Sequence, residues 1–357
     1  MRTPFIGQLE PEGLVAHFLA HPPEECSADR LPEGIPAFSL RFDILTTAEP
    51  ALRRRVQAWP LYRLWSRLLR LRARFVGSTV TEYAWLPADE DPAGFARALR
   101  AREGRRCPLL VVKDIPQESP LLDATQSAWA ADFARACTDA GFVLLEGQAL
   151  AWVPIDFAST DDYIAALSRG RRRDLKRKLR SRADLDVAIV PTGDAFAGDD
   201  AVDALYALYR NVYAQSEVHF DLLGRDFFAA VLRDAGSGGV VFQYRHAGRL
   251  IGWNLCYERG DLFVDKYMGL LYPDAREHNL YAVSWIENLA YARGRGLRRY
   301  VAGWTDPEVK AHLGARFTFT RHAVYPRSAL LRFVLRRLAP LFEGDRAWGE
   351  EALSCDR

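Results

Sequence analysis

The chain has 357 residues, 49% of them apolar, enough for two domains with cores of their own and too apolar for a disordered chain. Its 48 Lys and Arg stand against 46 Asp and Glu. A net charge of +2 excludes the global positive field of a dedicated nucleic-acid-binding protein, so any polyanion contact must be local. The five cysteines (Cys26, Cys107, Cys137, Cys256 and Cys355) are scattered without C-x-x-C or Cys/His spacing, which suits reduced thiols and no metal site. "MRTPFIGQLE" lacks the apolar core of a secretory signal, and nowhere do eighteen apolar residues run together. A cytoplasmic protein is expected, at most resting on the inner face of a membrane.

In chain order, "IPAFSLRFDIL" from Ile35, "FVGSTVTEYAWL" from Phe75 and "PLLVVKDI" from Pro108 carry the β-branched and aromatic enrichment of strands. Between the first two lies "WPLYRLWSRLLRLRARF", Trp59 to Phe75. Here Leu61, Leu64, Trp65, Leu68, Leu71 and Phe75 share one helical face and Arg63, Arg67, Arg70 and Arg74 another, the pattern of an interfacial helix on an anionic membrane. "PAGFARALRARE" and "SAWAADFARACTDAG" read as helices, the second closed by Gly141.

Residues Ser168 to Arg182, "SRGRRRDLKRKLRSR", hold nine basic side chains and one acid. Ser159 or Thr160 caps a helix whose stripe, Ile164, Leu167, Leu175 and Leu179, passes through Arg171. Most of this charge is therefore a wet face, whereas Arg171 turns inward and needs a carboxylate or an anionic ligand. Next come a strand "VAIV", a helix "DALYALYRNVYAQ", three antiparallel strands turning at "HAGR" and "ERGD", a long helix "NLYAVSWIENLAYARGRG" and a strand "RRYVAGW". "SALLRFVLRRLAPLF", Ser328 to Phe342, is a second basic amphipathic helix able to meet an anionic membrane. A faint repeat sets "PLLVVKD" and "FVLLEG" against "DLFVDKY" and "RRYVAG", as two similar mixed sheets in tandem would.

Five pieces of the second half, "YIAALSRGRRRDLKRKLR", "LYALYRNVYAQ", "AGRLIGWNLCYERGDLFVDKYMGL", "NLYAVSWIENLAYARGRGLRRYVAG" and "EVKAHLGARF", resemble the GNAT-fold acyltransferase superfamily, in the branch of Fem-type aminoacyltransferases and cellulose-biosynthesis acetyltransferases. Arg171 and Arg172 after Leu167-Ser168, and the late Lys310, Leu313 and Gly314, carry most of the likeness. The resemblance implies an α+β (mixed α/β) chain of two tandem GNAT-like domains around a central cleft. Residues 1–150 would form a divergent first domain, 151–330 the acyltransferase domain and 331–357 a basic tail.

It also implies transfer of an acyl or aminoacyl group from an activated carrier to an amine, with no tightly bound cofactor. The carrier is acyl-CoA in most GNAT proteins and aminoacyl-tRNA in Fem-type ones. The usual CoA loop, R/Q-x-x-G-x-G/A, is missing: "YPDAREHNLYAV" has no glycine where backbone amides would meet the pyrophosphate.

Such chemistry needs a base, oxyanion donors and an acid for the leaving group. Asp265 and Lys266, adjacent in an apolar strand, point to opposite faces, with Asp265 the candidate base or amine anchor and Lys266 a binding residue. Glu277 and His278 precede the long helix and could meet the carbonyl. Glu217 and His219 fall where Fem-like relatives build the acceptor cleft, and Lys113 with Asp114 is a first-domain counterpart. Lys310, beside Trp304, is expected to contact the donor or stabilise the oxyanion. Arg171 and Arg172 complete the binding set.

The first reading is an N-acyltransferase using acyl-CoA on an amine carried by a lipid, such as a long-chain base. The second is a Fem-like tRNA-dependent transferase acting on a cell-wall precursor. The third is a non-catalytic membrane- or RNA-binding module.

Overall fold

The computed structural model describes residues 5–43, 54, 58–59, 70–215 and 221–339. Most of the described strands join one eleven-stranded sheet. Its first half comprises β2 (Ser27–Arg30), β3 (Pro36–Asp43), β4 (Arg70–Val76), β6 (Leu109–Pro116) and β7 (Val143–Pro154). Its second comprises β8 (Asp186–Pro191), β9 (Gly239–His246), β10 (Arg249–Arg259), β11 (Leu262–Leu270), β12 (Arg299–Gly303) and β13 (Arg316–Pro326). Short β1 (Phe5–Ile6) and β5 (Leu86–Pro87) pair separately, and α1 (Glu12–Ala20) follows β1.

The order β2-β3-β4-β6-β13-β7-β12-β11-β10-β9-β8 reveals the plan. Each half contains one parallel crossover, β4 to β6 through α2 (Pro92–Arg102) and β11 to β12 through α9 (Leu280–Gly294). Each half then lends its last strand to the other, β13 lying beside β6 and β7 beside β12. The repeat is therefore real but one strand out of step with the sequence match. β4 and β6 correspond to β11 and β12, because crossover and pairing direction, rather than local wording, define equivalence. The boundary expected at residue 150 falls inside β7, where the halves interlock.

Local chemistry explains the starts and stops. Asp91 and Asp123 cap α2 and α3 (Ala124–Asp139), accepting from Gly94 N at 2.6 Å and Gln126 N at 2.8 Å, with Pro92 opening α2. The helix expected through the basic segment breaks into α4 (Thr160–Ala166), capped by Ser159, and α5 (Arg169–Lys178), followed by a 3-10 turn, because Leu167 is extended. Ile164 and Leu175 are nonetheless buried in the second core, as the apolar stripe requires.

Two further expectations change. "FVGSTVTEYAWL" is not one strand: Gly77, at φ 119, ends β4, and Ser78 to Tyr83 form a buried loop. Arg70 to Phe75 belong to β4 rather than to an interfacial helix, since they pair with β3 on one side and β6 on the other. Trp59 is exposed, and Leu61, Arg63, Leu64, Trp65, Arg67 and Leu68 lie outside the described residues.

The halves share a core, for α6 (Asp199–Gln215) and α7 (Arg225–Arg233) pack Leu205, Phe227 and Phe228 into the same cluster as Phe18 and Phe38. β11 meets α6 closely. A Cβ at Gly269 would stand 2.1 Å from Trp253 Nε1 and 2.8 Å from Tyr209 N. Gly269→Ala is thus expected to lower Tm, at a cost of about 1–3 kcal/mol by overpacking, measurable by thermal unfolding.

Candidate active site

β11 and β12 pair from Leu262–Arg299 to Val264–Val301, after which pairing stops while β11 continues to Leu270. Parallel strands that part in this way leave a wedge between their carboxyl ends, the usual place for a ligand in a mixed sheet. A cavity of about 320 Å³ lies past the carboxyl ends of both strands, lined by Leu270, Tyr272, Arg276, Tyr281, Asp306 and Val309 among others. Its walls are the end of β11, α8 (Asp274–Glu277), the start of α9 and α10 (Pro307–His312).

Lys310 stands behind this wall. It sits on the short helix α10 and is 2% exposed. A Cβ added at Gly303, where φ is +79°, would lie 3.9 Å from both Lys310 Nζ and the Asp265 carbonyl oxygen. Among the described residues the Lys310 ammonium forms no ion pair or hydrogen bond, while its backbone amide donates to the Asp306 carbonyl at 3.1 Å. Burial pulls its ammonium down to about 8, against the opposing charges of Glu82, Asp265 and Asp306.

Strand alternation sends Asp265 and Lys266 to opposite faces, as expected. Asp265 turns toward α9. One carboxylate oxygen accepts from Asn288 Nδ2 at 3.0 Å and Tyr300 OH at 2.9 Å, the other from Asn254 Nδ2 at 3.4 Å and Cys256 Sγ at 3.5 Å. Burial raises its carboxyl; the Tyr300 bond opposes this most, ahead of the other donors. An incoming amine would compete with four side chains for this carboxylate.

Lys266 turns toward the first half, bonding Glu82 Oε1 and, at 3.3 Å, Glu10 Oε1, which also accepts from Glu82 N at 2.7 Å. Both glutamates are buried, and Oε2 of each has no hydrogen-bond partner among the described residues. Burial drives Glu10 up to about 7, with Lys266 pulling it back and the charge of Glu82 adding to the rise. Asp221 is raised to about 6, again chiefly by burial, with Lys113 and Lys266 opposing. Lys113 Nζ bonds the Ser78 carbonyl at 2.9 Å and the Asp114 carboxylate, and Asp114 N donates to His322 Nδ1 at 3.0 Å.

The site therefore joins Lys310, Asp265, Lys266 and three acids that the sequence did not single out, Glu10, Glu82 and Asp221. His278 is not brought to it. Its ring packs against His246 at a tilt of 44°, centroids 4.1 Å apart, beyond the end of β11, and Glu277 is exposed beside it. Trp304 packs on a small cluster with Val264 and Val301. Arg171 is half-buried, and Arg172 Nη1 bonds the Ala165 carbonyl at 3.0 Å, closing the turn between α4 and α5. Glu217 and His219 lie outside the described residues.

α5 abuts the cavity wall. Asp174 accepts from Lys178 at 2.8 Å, Arg177 at 2.7 Å and His312 of α10 at 3.1 Å; the Lys178 bond contributes most to holding its carboxyl well below the ordinary range. Lys178 lines the cavity. A second depression, of about 460 Å³, is lined by Arg169, Gly170, Arg173, Asp174 and Arg177, all on α5. The glycine loop of CoA-binding proteins is replaced by α8 and by Asn279 at φ 51.

Residues 169–311 match the family described as acetyltransferase (GNAT) domain. No curated protein sequence matches the chain. Among solved structures, a C-terminal domain described as belonging to a lysylphosphatidylglycerol synthetase of Agrobacterium fabrum superposes with a TM-score of 0.53 at 12% identity, over 94% of this chain and 96% of that one. L-PGS from Bacillus licheniformis gives 0.53 at 10%, over 95% and 99%. FemX gives 0.51 at 9%, over 91% and 98%. At these identities the likeness is one of fold. Residues 169–311 are thus similar to a GNAT acetyltransferase domain, and the chain as a whole has a fold similar to those of FemX and L-PGS.

Proposed function

We propose that the protein is an N-acyltransferase that takes an acyl group from an activated carrier held between β11 and β12 and passes it to an amine. The observation that carries this reading is Lys310, a buried ammonium beside the parting strands with no ion-pair or hydrogen-bond partner among the described residues. A lone buried cation is costly unless a ligand supplies negative charge, and the developing oxyanion of a tetrahedral intermediate does so only during reaction. The amine nitrogen attacks the acyl carbon, the bond to the carrier breaks, and the carrier departs with a proton.

In this scheme Asp265 is a positioning residue. Its bonds to Asn288 and Tyr300 tie β11 to α9, and its charge helps Lys310 remain an ammonium. Glu10, raised to about 7, is the better proton acceptor, because a base near the working pH can take a proton and give it back. Glu82 and Asp221 add the negative charge that draws an ammonium acceptor inward. The acceptor class we favour is an amine carried by a lipid, such as a long-chain base, met at the inner face of a membrane. No helix among the described residues is long and apolar enough to cross one.

The donor we favour is acyl-CoA, with Lys178 and Arg276 at the cavity replacing the missing glycine-loop amides. A second reading, aminoacyl-tRNA, is favoured by Arg169, Arg173 and Arg177 on the helix that ends at this cavity. The two donors separate by salt. Transfer from acyl-CoA to an amine, followed by mass spectrometry, is expected to fall only a few-fold between about 50 and 200 mM salt, whereas a tRNA donor contacting several phosphates loses about a hundredfold or more. Transfer from neither donor to a panel of amines would end the acyltransferase reading.

A further inference from the structure

The C-terminal helix α11 (Ala329–Leu338) carries more apolar surface than the protein covers. Residues along a helix turn by about 100° each, so Leu331, Leu335 and Leu338 form one strip and Leu330, Phe333 and Val334 the adjoining one. The first strip is half-buried, with Leu335 against the first core. The second is not covered: Leu330 is 73% exposed, Phe333 58% and Val334 41%. Ser328 caps the helix, and Arg332, stacked 4.8 Å over Tyr325 and bonded to the Pro326 carbonyl at 2.7 Å, pins it to β13. The exposed strip is therefore held in place on a folded support.

Its surroundings are of one sign. Arg327, Arg332, Arg336 and Arg337 flank it, Arg337 lying 5.4 Å over the Phe333 ring, and the sequence holds no Asp or Glu between Arg321 and Phe342. A second copy docking on the same strip would bring two arginine clusters together. Acyl chains would receive Leu330, Phe333 and Val334 while lipid phosphates receive the guanidinium groups. We propose that α11 seats the protein on an anionic lipid bilayer, its exposed strip in the interfacial layer. This stands apart from the acyl-transfer chemistry and does not rest on it.

The test is flotation of the full chain with vesicles of phosphatidylcholine alone or with phosphatidylglycerol added. The wild type is compared with Leu330→Ser/Phe333→Ser and with Arg336→Glu/Arg337→Glu. These side chains are exposed, so both variants are expected to keep the wild-type Tm and their activity on a water-soluble amine. The wild type floats with phosphatidylglycerol vesicles and not with phosphatidylcholine, and each variant binds about tenfold more weakly. Absence of flotation overturns the proposal, as does equal binding to both vesicle types. So does a wild-type dimer, seen by light scattering, that the serine variant disperses while no lipid is bound.

Discussion

Lys310→Met is expected to lower the rate of acyl transfer by about 10²–10³-fold, the usual loss when one oxyanion donor is removed, while Tm stays the same or rises. The two effects part because Lys310 is a buried cation without a hydrogen-bond partner among the described residues, so its removal relieves a desolvation cost rather than breaking a contact. The pH dependence supplies an independent check. With its ammonium lowered to about 8, wild-type transfer falls as pH rises through that value, and the variant lacks this limb. Stability moves the other way. The unfolded chain keeps this proton up to about 10.5, whereas the folded one loses it near 8, so folding releases a proton between those values and stability rises with pH there. Lys310→Met abolishes that rise. A variant with wild-type rates, or one that merely unfolds, would remove Lys310 from the chemistry.

Lys266→Met has the opposite character. It strips the shared cation from Glu10 and Glu82, both buried and each with one oxygen already unpartnered among the described residues. Breaking a buried pair by removing one partner costs about 3–5 kcal/mol, readable as a fall in the denaturant midpoint near pH 8. The deficit shrinks on acidification. Glu10, whose carboxyl is already raised from 4.5 to about 7, binds a proton in the folded state that the unfolded state releases across that window. Its contribution to stability therefore falls as pH rises from about 4.5 to 7, and more steeply without Lys266. Adding Glu10→Gln to Lys266→Met should recover part of the loss. A cost below about 1 kcal/mol at pH 8 would mean the pair is solvated in solution.

The second half was the more legible in sequence because its strands alternate cleanly and its turns are marked. "HAGR" and "ERGD" fall at the β9–β10 and β10–β11 connections, and the crossover β11-α9-β12 follows from strand, long helix, strand. The first half was read less well. "GSTVTEYAW" has strand composition, yet Gly77 and the burial of Glu82 against a lysine of the other half turn it into a loop. No local rule anticipates a partner 184 positions away. Glu10 was missed for the same reason, and Asp221, two residues after the candidate His219, has no periodic signature of its burial. Lys310 was singled out through the resemblance, since burial of one lysine in "DPEVKAHLG" has no periodic signature. His278 was singled out because a titratable residue before a long helix matches a catalytic pattern; the structure sets its ring against His246. Arg171 was expected inward and is half-buried, on the same helix as buried Leu175.

The most direct test is single-turnover transfer to an amine by the wild type, Lys310→Met and Val309→Trp. The last plugs the cavity from an exposed position on its wall. The wild type is predicted to add the acyl mass to the amine and free the carrier. Val309→Trp should lose donor binding with its fold intact, and Lys310→Met should bind the donor and fail to transfer. Transfer by both variants at the wild-type rate would contradict a donor site between β11 and β12.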